Sequence, residues 1–421
     1  MDRRTFFKTL GAAAAIPSAT VPSLEIARAQ DGGRVKITDV KVMRVRMNNG
    51  GHVMPLVKIE TDAGIYGIGE CHHDVTGLGA KDAVLNGFKQ ILVGQDPMDI
   101  ERLWRQMMFR VSYLGGNGGI GVHAVTGTEV ALWDLVGKLL KQPVRRILGG
   151  GAYTNKVRAY WTFQPRNMMD KASCKEWVDY IKGSVQKWTA AKPFRQLRRA
   201  GGEALNMSLS RAEIKANVQG FANIREATGD DFDIIVHNHW EYDFPSALAF
   251  CKALAPIEPW WVEDPMPINY VDTWKRLAAE SPVPILCGEN LYTRHDFLPF
   301  IQNGAVDYIM IDISMAGGLL EAKRIADLAN TYYLPISTHN VMGPVATIAS
   351  ANCAATMHDF AGHESMDFKT GGRAGEGDLI VYDREIIQDG YIQLSDKPGL
   401  GLDINKDVAM KHLVDGDTWW G

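Results

Sequence analysis

The sequence predicts an α/β protein in which an α+β domain precedes a (β/α)8-type barrel. Three observations predict it. From about residue 155, short apolar runs alternate with amphipathic helical stretches, and from the third run they recur about every 25 residues, as βα units do. There are eight runs: 157–163, 194–198, 234–239, 260–263, 285–289, 308–312, 336–339 and 363–368. Buried parallel strands separated by helices, eight in number, close into a barrel. The region before them has another texture, with alternating strands followed by long helical stretches.

In chain order, residues 35–46 and 55–60 alternate as strands. Thr61-Asp62-Ala63-Gly64 is a turn, and 65–70 is the hairpin partner. Helical stretches follow, including 122–140, and Gly149-Gly150-Gly151 ends the region. The expected division is an export segment at 1–30, an α+β domain at 31–152, the barrel at 153–378, and a segment at 379–421 that returns to the first domain. Trp419 and Trp420 in that segment are expected to pack rather than bind. Gly116-Asn117-Gly118-Gly119-Ile120-Gly121 satisfies G-x-G-x-x-G, but no hydrophobic strand precedes it, so it is not read as a dinucleotide site.

A net charge of −4 with 22% charged residues excludes the electrostatic footprint of a nucleic-acid or anionic-membrane binder. Cys71, Cys174, Cys251, Cys287 and Cys353 are scattered and odd in number, so they read as buried thiols rather than a disulfide framework. The start of the chain differs. Asp2-Arg3-Arg4-Thr5-Phe6-Phe7-Lys8, the apolar run 10–21 and Ala27-Arg28-Ala29 resemble a twin-arginine export signal, which is an address rather than an anchor. The run is short and broken by Pro17 and Pro22, so no membrane insertion is expected. The expected location is the periplasm.

Catalytic groups of a barrel sit at the C-terminal ends of its strands. Here the runs end in Arg198, His237 and His239, Glu263, Glu289, Asp312, His339 and Glu364. Carboxylates and an imidazole can hold a divalent cation. Histidines can move protons near neutral pH. A glutamic acid can hydrogen-bond a developing oxyanion.

Val262-Glu263-Asp264-Pro265, Gly288-Glu289, Met310-Ile311-Asp312, Gly317-Gly318 and Ile336-Ser337-Thr338-His339 together resemble the mandelate racemase and acid-sugar dehydratase branch of the enolase superfamily, of galactonate or mannonate dehydratase type. Thr61-Asp62-Ala63-Gly64, Gly67-Ile68-Gly69-Glu70 and 131–138 resemble that family's capping domain and the start of its barrel. The resemblance covers essentially all of the chain after the export segment.

The resemblance implies one divalent metal, Mg by family habit, held by His237, Glu263 and Glu289. The first ligand is normally an aspartate, so His237 is a departure that also suits Mn, Fe or Zn. It implies a His339–Asp312 dyad as the base, Glu364 as hydrogen-bond partner of the enediolate, and His239 as the acid that protonates a departing hydroxyl. Arg198 falls where racemases carry the first lysine of a Lys-x-Lys pair, and Ala200 falls on the second. Arginine is a poor base, so two-sided proton chemistry is disfavoured and loss of water is favoured. Substrate contacts are expected from the loop 47–54, with His52, and from Cys71-His72-His73-Asp74. The implied activity is that of a hydro-lyase taking a small-molecule sugar acid to a 2-keto-3-deoxy acid, in a homo-oligomer. An epimerase or cycloisomerase working through the same enediolate, or a catalytically silent sugar-acid-binding relative, stays open at this point.

Overall fold

The computed structural model describes residues 34–47, 52–73, 76–114, 116–150, 155–183, 190–191, 207–365, 367–369 and 373–420. Lys36–Gly421 is one compact unit. The expected export segment and Arg198 lie outside the described residues.

The first elements are β1 (Ile37–Val45), β2 (Met54–Thr61) and β3 (Tyr66–Glu70), an antiparallel sheet in the order β1-β2-β3. The expected turn at Thr61-Asp62-Ala63-Gly64 joins β2 to β3, with Gly64 at φ +71°. Helices α1 (Ile100–Leu114) and α2 (Ile120–Leu140) cover this sheet. Val42, Val57 and Ile59 from the sheet share a buried core with Leu103, Met107, Leu132 and Leu135 from the helices. The Gly116–Gly121 stretch is the connection between α1 and α2, so a helix and not a strand precedes it. This removes the βαβ context that a dinucleotide loop needs.

Eight parallel strands follow: β4 (Lys156–Trp161), β5 (Ala190–Ala191), β6 (Asp233–His237), β7 (Trp261–Glu263), β8 (Ile285–Cys287), β9 (Tyr308–Asp312), β10 (Ile336–His339) and β11 (Phe360–Ser365). Each pairs with the next, and β11 pairs with β4, which closes the barrel. Helices α3 (Lys171–Gly183), α4 (Arg211–Thr228), α5 (Phe244–Leu254), α6 (Val271–Glu280), α7 (Thr293–Gln302), α8 (Leu319–Thr331) and α9 (Pro344–Ala354) fall between strands. Ser210 caps α4 in a capping box with Glu213, and Asp243 caps α5, so these starts are written in the sequence.

Three expectations shift. The second barrel position is held by Ala190–Ala191, whereas the expected run 194–198 lies outside the described residues. The eighth strand starts at Phe360, three residues earlier than expected, because Ile336 pairs with Phe360 across the sheet. His239 and Glu289 stand two residues beyond their strands, on the loops that leave the rim. After β11 come β12 (Ile380–Tyr382), β13 (Ile387–Gln388), β14 (Tyr391–Gln393) and β15 (Leu402–Ile404). The β13–β14 hairpin lies antiparallel on the start of β4. Farther on, Asp417 pairs with Arg44 of β1 at 2.8 Å. Trp420 is buried, and all five cysteines are buried thiols outside any disulfide. Among the described residues no helix is long and apolar enough to cross a membrane.

Candidate active site

Strand side chains alternate, so inward-facing residues of a barrel form layers. One layer is a buried plug of Tyr160, Ile235, Trp261, Leu286 and Met310. Ser337 and Gly362 complete it, with the Ser337 hydroxyl 3.4 Å from the Tyr160 hydroxyl and the Tyr160 ring filling the space beside Gly362. Moving two residues along each strand gives Thr162, His237, Glu263, Gly288, Asp312, His339 and Glu364. That polar layer is the rim. Tyr160 and Trp261 beneath it seal it from the other end.

At β8 the strand cannot continue regularly. Gly288 sits at φ +132°, and a Cβ there would lie 2.3 Å from the Met310 carbonyl oxygen. Only glycine fits, and the twist it permits presents Glu289 to the rim.

His339 is the centre of the charge network. Its Nδ1 is 2.6 Å from Asp312 Oδ2. Its Nε2 lies 3.5 Å from Glu289 Oε2 and 3.7 Å from Glu364 Oε2. A carboxylate accepts only, so Nδ1 carries the proton towards Asp312 and Nε2 faces the cavity. The other Asp312 oxygen accepts from the Ser314 and Met315 amides at 2.7 and 3.2 Å. Burial alone pushes the His339 imidazole down, but Glu289, Glu364 and Asp312 together carry it up to about 10. Burial raises Asp312, yet the hydrogen bond and charge of His339 hold it below the usual carboxylate range. Thr162 donates to Glu364, an orienting contact with no motif of its own.

The metal-binding candidates gather around Glu289. His237, His239 and Glu289 offer donor atoms within 4.8 Å of one another, and so do Glu263, Asp264 and Glu289. His237 Nδ1 is 2.9 Å from Glu263 Oε1, and Trp261 Nε1 donates to the other Glu263 oxygen at 3.1 Å. Two triads sharing one carboxylate, with Glu263 and Asp264 fully buried, form an excess of negative charge that fits a divalent cation. Asp264, at φ +43°, is a donor that strand-end reasoning missed, although it lies inside the quoted motif. His239 differs from His237 in being about one-third exposed, 36% against 4%, with its Nε2 3.6 Å from Glu289.

The N-terminal domain covers this rim with imidazoles. His72 Nε2 reaches to 3.8 Å from Asp312 Oδ2, and its Nδ1 donates to the His73 carbonyl at 2.9 Å. The His73 ring stacks on His52 at 3.9 Å and packs against His72 at 4.5 Å. Burial pushes the His73 imidazole down to about 3 and lowers His52 and His72 as well. The lowered values favour the neutral form of all three rings, which can exchange hydrogen bonds with hydroxyls. His123 of α2 and Tyr292 extend the row, 3.2 Å apart. Neither was evident beforehand, because His123 lies inside a helix whose apolar pattern masks it.

Comparisons with known proteins agree with this architecture. Residues 35–149 match the mandelate racemase / muconate lactonizing enzyme N-terminal domain, and residues 189–408 match the enolase C-terminal domain-like family. A D-xylonate dehydratase of Haloferax volcanii is 32% identical over 94% of this chain and 93% of its own length. A D-galactonate dehydratase of Pectobacterium atrosepticum is 30% identical over 86% and 92%. A solved mandelate racemase/muconate lactonizing enzyme-like protein from Rubrobacter xylanophilus superposes with a TM-score of 0.84 at 32% identity, covering 92% of this chain and 100% of that one. An enolase of the mandelate racemase subgroup from Agrobacterium tumefaciens gives 0.78 at 30% identity, covering 90% and 96%.

Proposed function

The chain belongs to the mandelate racemase and muconate lactonizing enzyme family of the enolase superfamily, and from that premise we propose that it is a metal-dependent dehydratase of a sugar acid. It is a hydro-lyase, like the D-xylonate and D-galactonate dehydratases it resembles along nearly its whole length. The observation that carries the reading is the opposition, across one rim, of a buried His339–Asp312 pair and a partly exposed His239. One group is built to take a proton and the other is open enough to deliver one.

His237, Glu263 and Glu289, each within reach of the other two, would hold a divalent cation, which would supply the positive charge that makes the carbon beside a carboxylate acidic. His339 Nε2 then takes the C2 proton, and the C–H electrons move into the carboxylate to give an enediolate. Asp312 keeps the imidazole oriented and stabilises it once charged. Glu364, oriented by Thr162, hydrogen-bonds the oxygen that gains charge. As the enediolate collapses, the bond from C3 to its oxygen breaks and His239 donates the proton that lets water leave. The enol product rearranges to a 2-keto-3-deoxy acid. The substrate is an aldonate, its hydroxyls met by the neutral imidazoles of His52, His72 and His73. The imidazole of His237 favours Mn, Fe or Zn more than an all-oxygen site does, with Mg the family habit.

Incubation of the metal-loaded enzyme with a panel of aldonates, D-xylonate and D-galactonate among them, is expected to yield a 2-keto-3-deoxy acid from at least one. In deuterated water, His339→Asn should abolish both product and α-hydrogen exchange, a loss on the order of 10² to 10⁴. His239→Asn should abolish product and retain exchange. Normal exchange in the His339 variant would move the base elsewhere. A C2-epimeric or cyclised product without loss of water would replace dehydration by epimerisation or cycloisomerisation.

A further inference from the structure

The two strands that carry the base dyad are each followed by a helix whose N-terminus is plugged by a carboxylate from the other domain. Behind β10, Glu70 at the end of β3 accepts from the Gly343 amide at 2.7 Å and from the Ala346 amide at 2.9 Å, at the start of α9. Behind β9, Glu129 of α2 accepts from the Leu319 and Leu320 amides at 2.9 and 3.1 Å, at the start of α8. Both carboxylates are buried, and both occupy space that only glycine leaves open. A Cβ at Gly343 would lie 2.6 Å from Glu70, and one at Gly318 would lie 2.5 Å from Glu129.

The intervening segments are gripped on other sides. Trp104 of α1 donates to the Gly317 carbonyl at 2.6 Å, so the stretch from Asp312 to α8 is held by two N-terminal-domain residues. Trp133 donates to Glu129 at 2.6 Å and fixes its rotamer. On the other stretch, from His339 to α9, Arg373 donates to the Val341 and Met342 carbonyls at 2.8 and 3.0 Å and pairs with Glu376. Asp312 and His339 thus stand at the starts of two short connections whose far ends are pinned, and His72, two residues after Glu70, closes the loop back to Asp312.

We infer that Glu70 and Glu129 are positioning residues for proton abstraction: by capping α9 and α8 they register the N-terminal domain on the barrel and set the distance between His339 and Asp312. The inference rests on the dyad reading above. Helix N-termini favour a carboxylate electrostatically, and each oxygen here satisfies one amide that the helix leaves unpaired. A displacement of about 1 Å at a reacting group costs as much as about 10²-fold in rate, so loss of one cap is enough to be seen.

Glutamine at these positions keeps the shape but offers a donor NH2 to one of the two amides. Glu70→Gln and Glu129→Gln are each expected to lower kcat for α-hydrogen exchange by about 10- to 100-fold, with KM within about threefold. The apparent pKa of the base in the pH profile of kcat should fall in the same variants, because a looser Asp312 contact makes His339 less basic. Trp104→Phe, which removes one donor and keeps the bulk, should show a smaller change in the same direction, and it serves if the glutamine variants do not fold. Bound metal, measured by elemental analysis, should stay at the wild-type level. Variants that melt at lower temperature yet keep the wild-type kcat and pH profile would make these contacts structural only and overturn the inference. A fault in the underlying dyad reading shows itself separately, as normal exchange in His339→Asn.

Discussion

His339 is held by opposing forces that decide what the site can do. Burial works against its charge, while Glu289, Glu364 and Asp312 favour it strongly enough to carry it up to about 10. An imidazole that basic is protonated at pH 7 and cannot accept a proton. Positive charge beside Glu289 would offset one of the three carboxylates and return the base to a working range. The histidine signal of the chelated protein should therefore titrate well above 6.5, and titration with a divalent cation should lower it. A signal unmoved by metal would separate the cation from Glu289. Glu289→Gln should reduce metal affinity by more than about 100-fold, beyond what loss of an outer contact costs, and remove activity with it. Full metal occupancy in that variant, by elemental analysis, would refute the ligand assignment. These residue types were legible in the sequence because strand ends and flanking motifs mark them. Thr162, Asp264, His123 and Tyr292 were not, since a threonine beyond a strand or a histidine within an apolar helix carries no spacing signal.

Among the elements, strands were more legible than their ends. Apolar runs located seven of the eight barrel strands, whereas their first residues depend on pairing. Phe360 begins β11 because Ile336 lies opposite it. Helix starts were legible where a capping side chain is local, as at Ser210 and Asp243. They were not legible at α8 and α9, where the cap is supplied by Glu129 and Glu70, far away along the chain. Burial raises both of these carboxyls to about 7, against the pull of the amides they accept from. The folded value lies above the ordinary one of 4.5, so the fold favours the protonated form. Their contribution to stability is complete below pH 4.5 and is lost as the pH rises through about 7. Between about pH 5 and pH 8, Glu129→Gln should lose less stability than the parent in urea unfolding, because glutamine does not titrate. Parallel curves for the two proteins would mean that this carboxyl ionises at its ordinary pH.

For the whole molecule, we propose the periplasm as the destination, from the leading segment. Arg3 and Arg4 precede an apolar stretch that is too short to anchor, and a twin-arginine route would deliver the enzyme already folded to the periplasm. Replacing both with lysine should leave the protein in the cytoplasm, as read by fractionation and blotting; an unchanged periplasmic yield would remove the assignment. By itself, the sequence determined the eightfold βα repeat, the family, and the identity of most rim groups. Each of those is written in local periodicity or in contiguous motifs. Only the tertiary structure decided which groups act together. It brought His72 from the N-terminal domain to Asp312 with His123 packed against it, set Glu289 within reach of both the other proposed metal ligands and the base, and placed Glu70 and Glu129 on the helices behind the dyad. The physical reason is that these contacts join residues up to 276 positions apart, and their energies come from burial and backbone amides that exist only once the barrel has closed.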